Sequence, residues 1–313
     1  MLAGHVAANS AELAQAFQRA QPFRHVVIDD FLEPDFAARL LAEFPAFDPG
    51  RAINENGERG GKAVHERIRA LGPAYVRLDD AIRDSAFLAL VSRITGIPGL
   101  LYDPYYFGGG THDNRDGQGL DAHVDFNRHP VTHSHRRLNL IVYLNPGWQA
   151  EWGGVLELHS DPRASDDRVV QVLPAFNRAV LFETTEHSWH GFTKIRFPPA
   201  QADAARRSIA LYFYSAQRPG EELADTHSTV YVDRPLPARF QAGHSLSAED
   251  AEELQSCMAA RDQHIQRLYR EQALQAQLDQ ALQGLGLVRG SLAFRLVAAT
   301  RRGLHRVLGK QRR

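Results

Sequence analysis

His123-Val124-Asp125 sets an imidazole and a carboxylate two positions apart. On an extended strand, residues i and i+2 project from the same face. Much later the run Glu186-His187-Ser188-Trp189-His190-Gly191 offers a further imidazole from a distant element. Two nitrogens and one oxygen on one side of a metal leave its remaining positions open, which is the ligand arrangement of non-heme Fe(II) centres that activate dioxygen. An H-x-D pair alone is a weak signal in a chain with 15 histidines; its surroundings carry the weight.

One such surrounding is Arg206-Arg207-Ser208. Where the cosubstrate is 2-oxoglutarate, its keto-acid end chelates the metal beside O2, and its far carboxylate needs a cation. Arginine suits that task because its planar fork pairs a carboxylate through two parallel hydrogen bonds. On a strand from Arg206 to Tyr214, Ser208 shares a face with Arg206 and Ala210, whereas Arg207 shares the other with Ile209, Leu211 and Phe213. The alternation does not say which face points inward.

From about Tyr105 to Ser215 the chain resembles the Fe(II)/2-oxoglutarate-dependent dioxygenases of the prolyl 4-hydroxylase-like group. The resemblance rests on Tyr106-Phe-Gly-Gly-Gly110, His123-Val-Asp125, Arg137-Leu-Asn-Leu-Ile-Val-Tyr-Leu-Asn145, Trp148, Gly153-Gly154, His190-Gly191 and Arg206-Arg-Ser208, in that order. Val26 to Leu32, followed by a helical pattern, is similar to the usual lead-in of that group. The resemblance implies a double-stranded β-helix with His123, Asp125 and His190 as Fe(II) ligands, His187 being the competitor for the last place. It implies 2-oxoglutarate as cosubstrate, held by Arg206, Ser208 and Tyr143, with Tyr106 lining its pocket. O2 is the oxidant and ascorbate a candidate stimulant. The expected activity is hydroxylation of a C–H bond, with succinate and CO2 as co-products. Prolyl hydroxylases differ in the basic residue and in the substrate loops, so proline is not implied. A small metabolite, a glycan and a peptidyl side chain all remain open as substrates. The competing readings are a non-oxygenase cupin-like metal enzyme and a catalytically silent binding module; the intact ligand set speaks against the second.

The elements that must position these residues are short. Val155 to Leu158, Val169 to Leu173, Arg178 to Phe182, Leu101 to Phe107, Leu138 to Leu144 and Arg206 to Tyr214 read as strands between glycine and proline turns. The expected fold is mainly β with flanking helices: a jelly-roll or cupin-like core plus a long C-terminal helix. Helices are expected around Ala11 to Arg19, from Phe36 to Phe44, and over Asp84 to Ile94 with a stop near Gly96. Residues 1–99 are expected to support the barrel and 100–237 to form it. Loops over Asn54 to Lys62 and His112 to Gly119 are expected to cover the mouth. His112, His129, His133 and His135 are read as a solvated loop shaping that mouth, and Trp148 with Trp152 as hairpin packing.

Composition sets the outer limits. With 43% hydrophobic and 23% charged residues the chain is an ordinary globular one, and a net charge of −1 argues against a nucleic-acid partner. Cys257 is the single cysteine, which excludes an internal disulfide and a thiolate metal site. Without an apolar N-terminal stretch or a spanning run, a cytoplasmic location is expected. Ser247 with Asp250 resembles a capping box opening a helix from Ala248 to about Gln283, so residues 238–287 are expected to form a helix used for homo-oligomer contact through 248–283. Residues 288–313 hold eight basic residues and no acidic one. They are read either as an amphipathic tail touching the inner face of a membrane or as a packing segment.

Overall fold

The computed structural model describes residues 1–52, 62–232, 236, 237 and 239–248, and those between 250 and 280 other than 252, 256, 260, 263, 264, 267, 271, 275, 276, 278 and 279. The loop expected over Asn54 to Lys62 falls outside the described residues except for Lys62, and the basic tail 288–313 falls outside them entirely.

Met1–Asp233 is one compact unit. Its N-terminal part holds α1 (Gly4–Ala8), α2 (Ser10–Arg19), β1 (His25–Ile28), α3 (Pro34–Ala42), β2 (Ala63–His65), α4 (Pro73–Ile82) and α5 (Ser85–Thr95). The strands that follow are β3 (Leu100–Tyr102), β4 (Gly110–Asn114), β5 (Leu120–Val124), β6 (His135–Tyr143), β7 (Leu156–His159) and β8 (Val169–Val172). The last four are β9 (Ala179–Glu183), β10 (Trp189–Phe192), β11 (Arg206–Ser215) and β12 (Val230–Tyr231). Helix α5 ends as its sequence demands, with Asp84 accepting from the Ala86 N–H at one end and Gly96 at φ 74° at the other.

The strands form two sheets. One runs β1-β9-β6-β11-β4-β2, with β3 also paired to β11; the other runs β12-β5-β10-β7-β8. From β4 to β11 the chain passes repeatedly from one sheet to the other, as a jelly roll requires. Alternation along the strands of the larger sheet divides the core. Leu138, Leu140 and Val142, Ala179 and Leu181, and Ile209, Leu211 and Phe213 turn outward to pack with Phe36, Leu78, Phe87 and other helix residues. Ile141 and Tyr143, with Val180 and Phe182, turn inward and meet Leu156, Leu158 and Val172 of the smaller sheet. The helices therefore share one continuous core with the outer face of the barrel.

The strand expected over Leu101 to Phe107 stops at Tyr102. Asp103 accepts hydrogen bonds from the backbone N–H of Tyr105 and of Phe107, and Tyr106 takes φ 51°, so this segment turns. The loop expected from His112 begins later, because Gly110–Asn114 is a strand held between β11 and β2. Five consecutive buried positions show no alternation there, since tertiary pairing on both sides overrides a weak local preference.

The second unit, Arg234–Arg313, is described only in part. The expected capping box is present: the Asp250 N–H donates to Ser247 Oγ at 3.1 Å, and the Ser247 N–H donates to Asp250 Oδ2 at 3.0 Å. Every described residue from 248 to 280 is helical. No helix among the described residues is long and apolar enough to cross a membrane.

Candidate active site

Strands β5 and β10 are antiparallel neighbours, and their register sets His123 directly opposite His190. The rings lie 4.3 Å apart between centroids. Asp125 follows β5 by one residue and swings its carboxylate between them, with Oδ1 3.8 Å from His123 Nε2 and Oδ2 3.5 Å from His190 Nε2. One donor atom from each of the three lies within 4.8 Å of the others. His187 is not part of this group. It is exposed on the turn before β10, where its backbone N–H is bound by Thr185 Oγ1.

The donor set fits a divalent metal chemically as well as spatially. His123 Nδ1–H donates to the Asp121 carbonyl and His190 Nδ1–H to the Ser188 carbonyl, both at 2.9 Å. Those bonds fix the tautomer and turn each Nε2 lone pair toward Asp125. Burial holds His123 well below its ordinary pKa, reinforced by His190 and opposed by Asp125. Burial likewise lowers His190, with Asp125 opposing. Burial acts to raise Asp125, yet Arg136, the two histidines and Asn139 together bring it well below the usual carboxylate range. Two neutral imidazoles beside an ionised carboxylate form a ready ligand set for a hard or borderline cation. Among the described residues no other group of three histidines, cysteines or carboxylates could hold a metal ion.

Close strand approach keeps the two histidines together. A Cβ at Gly191 would lie 2.5 Å from the Leu120 carbonyl oxygen and 3.0 Å from the Ala122 nitrogen, both backbone atoms that cannot yield cheaply. Gly191→Ala is therefore expected to pry β10 from β5, costing ~1–3 kcal/mol as overpacking does. A thermal melt should fall by several degrees and metal affinity should fall with it. An unchanged melt would mean that the strands are not held this tightly.

The cation site lies deeper in the barrel. Strand β11 presents Arg206, Ser208 and Ala210 to the interior, since its Ile209, Leu211 and Phe213 pack on the helices. That settles the face that alternation left open. Asn145 fixes the register at the strand's start: its Oδ1 accepts from the Arg207 N–H at 2.6 Å and its Nδ2 donates to the Arg207 carbonyl at 3.1 Å. Arg207 consequently points outward, its guanidinium over the Phe44 ring. Arg206 is 4% exposed, and its Nε donates to the Gly154 carbonyl at 2.6 Å while Nη2 approaches Tyr143 Oη at 3.4 Å. Its guanidinium faces the Phe192 ring at 4.1 Å. Burial lowers its pKa, opposed only by Tyr143; no carboxylate among the described residues pairs with it. Gly154 makes the room, because a Cβ there would lie 3.0 Å from Arg206 Cδ. Ser208 is buried and sits in register with Tyr143 on one side and His112 on the other. A buried cation beside a phenol and a serine suits the far carboxylate of a keto dicarboxylic acid.

Tyr106 does not join Tyr143 and Arg206. Its hydroxyl donates to the buried Asp79 at 2.7 Å, where Tyr102 and Arg69 converge as well, and its ring lies in the outer core. Two of the four histidines read as a solvated loop are interior. His112 on β4 donates from Nε2 to the Gly108 carbonyl, and His129 is 1% exposed with Nδ1 accepting the Val131 and Thr132 N–H groups. His133 is exposed, and His135 opens β6 half-buried. Trp148 and Trp152 pack edge-to-face on each other and on Phe197, as expected of hairpin packing. Two residues to which the sequence assigned no role stand beside Asp125: Arg136 and Asn139. Period two from Tyr143 places Asn139 on the inward face of β6. Arg136 was hidden by the irregular register where Phe213 pairs Leu138 but Tyr214 pairs Arg136.

Part of the chain is similar to known proteins. Residues 109–214 match the family model of the 2OG-Fe(II) oxygenase superfamily. The mouse protein named prolyl 3-hydroxylase OGFOD1 is 30% identical over 104 residues, which is 33% of this chain and 17% of that protein, so the chain spans less than a fifth of that relative's length. Solved structures with a similar trace include a Trichoplax adhaerens prolyl hydroxylase in complex with a hypoxia inducible factor peptide fragment. It is 20% identical with a TM-score of 0.46, over 67% of this chain and 91% of that one. A Pseudomonas putida prolyl-4-hydroxylase is 18% identical with a TM-score of 0.44, over 67% and 98%. HygX from Streptomyces hygroscopicus, with nickel and 2-oxoglutarate bound, is 12% identical with a TM-score of 0.43, over 71% and 96%. The stretch from 109 to 214 that matches the 2OG-Fe(II) oxygenase superfamily model carries the two histidines, the aspartate and the buried arginine described above.

Proposed function

We propose that the chain is an Fe(II)- and 2-oxoglutarate-dependent dioxygenase that hydroxylates a C–H bond of a second substrate. The observation that carries this reading is the pairing of two features inside one barrel: the His123, Asp125 and His190 donor set, and the buried Arg206 guanidinium that lacks a carboxylate partner among the described residues. When bound, the iron supplies the redox chemistry by which O2 and 2-oxoglutarate become succinate and CO2 and the substrate gains a hydroxyl group. The protein's own share is binding, orientation and exclusion of water. Arg206, Ser208 and Tyr143 hold the far carboxylate of the cosubstrate. His123, Asp125 and His190 hold the metal, their protonation states fixed beforehand by the Asp121 and Ser188 carbonyls and by Arg136. The apolar residues between the sheets keep water from the reacting centre.

The substrate is a peptidyl side chain, a glycan or a small metabolite. The name of the mouse relative puts prolyl peptides first in a screen. Protein loaded anaerobically with Fe(II) should release succinate from 2-oxoglutarate on admission of air, and the true substrate should raise that rate and gain 16 Da, the mass of one oxygen atom. Absence of any 2-oxoglutarate turnover in correctly loaded protein, across such a panel, would defeat the proposal.

A further inference from the structure

Asp125 is gripped from behind. Asn139 Nδ2 donates to Asp125 Oδ2 at 2.8 Å, and Arg136 Nη2 lies 3.1 Å from the same oxygen. Arg136 also fixes the amide, because its Nε and Nη2 both donate to Asn139 Oδ1, at 3.1 and 2.8 Å. A guanidinium has no acceptor, so only the carbonyl end of the amide can face it and only the NH2 end can face Asp125. Arg136 is itself immobilised: it is 1% exposed, with its Cζ 3.7 Å from the Tyr212 ring centroid and 4.4 Å from that of Phe126. Asn139 sits in mid-strand on β6, between Phe182 of β9 and Tyr212 of β11.

We propose that Arg136 and Asn139 are positioning residues that hold the Asp125 carboxylate in place between His123 and His190, setting the metal affinity of the site. This rests on the metal-binding reading above. Oδ2 thus carries one hydrogen bond, from Asn139, and one ion pair, with Arg136. Oδ1 lies 3.8 Å from His123 Nε2 and Oδ2 3.5 Å from His190 Nε2, so the grip holds the whole carboxylate against both imidazoles. A carboxylate held this way would meet a cation without first being reoriented. Partners of this kind orient the ligands they touch and typically govern affinity by about 10- to 100-fold.

The test uses the full chain and Co(II), whose visible absorption bands report coordination number. Asn139→Leu keeps the volume and removes both the donor and the acceptor. Calorimetric titration should show Co(II) binding weakened by about 10- to 100-fold relative to wild type, with altered visible bands as Asp125 loses its fixed position. The melting temperature of the metal-free protein should change far less, which separates positioning from a general loss of structure. Asn139→Ser is the second variant should the leucine disturb folding; it is too short to bridge Arg136 and Asp125, and the same loss is expected. Co(II) affinity within twofold of wild type, with unchanged bands in a folded variant, overturns the clamp and leaves the metal site standing. Wild-type protein that fails to bind Co(II) at millimolar concentration overturns the metal reading itself, and the clamp with it.

Discussion

His190→Ala is expected to abolish stoichiometric metal binding and all 2-oxoglutarate turnover while leaving a folded protein. The three donors lie on two neighbouring strands whose register already sets His123 against His190, so the site is preformed and each ligand contributes a full bond. Loss of an outer-shell partner typically costs about 10- to 100-fold in metal affinity, and removing a ligand outright should exceed about 100-fold. The fold should survive because β10 keeps its ladder to β7 on one side and to β5 on the other. The vacated imidazole also leaves no orphaned charge: the Ser188 carbonyl loses a donor, and the Phe182 ring, 4.7 Å from the imidazole, loses a neighbour. Metal analysis after loading and calorimetry with Co(II) measure the first effect, and a thermal melt measures the second. His187→Ala provides the comparison. Its ring is exposed on the preceding turn, so metal content and turnover should match wild type. Normal metal stoichiometry in His190→Ala would show that the ligand lies elsewhere.

The site was legible where chemistry and period two coincide. His123 and Asp125 needed only a strand and a shared face, and Arg206 with Ser208 needed the same. Their inward direction was not legible, because a strand between two apolar layers has two buried faces, and only the packing of Ile209, Leu211 and Phe213 on the helices decides between them. The broad architecture also followed from glycine and proline punctuation between short apolar runs. Strand β4 did not, since Gly110, His112, Asp113 and Asn114 carry no strand preference and are extended only because β11 and β2 flank them. Nor did α4, whose buried Asp79 would count against a core helix until Tyr102, Tyr106 and Arg69 are seen converging on it. That same convergence draws Tyr106 away from Tyr143 and Arg206. The sequence places a tyrosine beside a glycine-rich turn, but the φ of 51° at Tyr106, which redirects its ring, is a tertiary outcome. Arg136 illustrates the last kind of failure. A single irregularity in register shifts a residue between faces, and no periodic reading survives it.

Arg206→Met is expected to separate cosubstrate binding from stability, and the two effects should run in opposite directions. In the wild-type protein a fully buried guanidinium rests on one carbonyl, one phenol and two aromatic rings, with no carboxylate to match it among the described residues. Holding a charge in that setting opposes folding, and replacing a buried ion by an apolar side chain of similar volume is often neutral or stabilising. The metal-free variant should therefore melt at or above the wild-type temperature. Affinity for 2-oxoglutarate should collapse, since losing one partner of a buried, hydrogen-bonded charge pair costs ~2–5 kcal/mol, roughly thirty-fold or more in Kd. Ligand that binds only the folded state stabilises it by RT ln(1 + [L]/Kd), so wild-type protein loaded with metal should melt higher on adding 2-oxoglutarate and Arg206→Met should not. Co(II) affinity without cosubstrate should stay near wild type, because Arg206 does not touch His123, Asp125 or His190. Arg206→Lys should fall between the two, keeping the charge but losing the planar fork. Arg207→Ala tests the register: its side chain points outward over Phe44, so cosubstrate affinity should remain within about twofold of wild type. If Arg207→Ala loses 2-oxoglutarate while Arg206→Met retains it, β11 carries its cation on the other face, and the carboxylate site assigned to Arg206, Ser208 and Tyr143 is wrong.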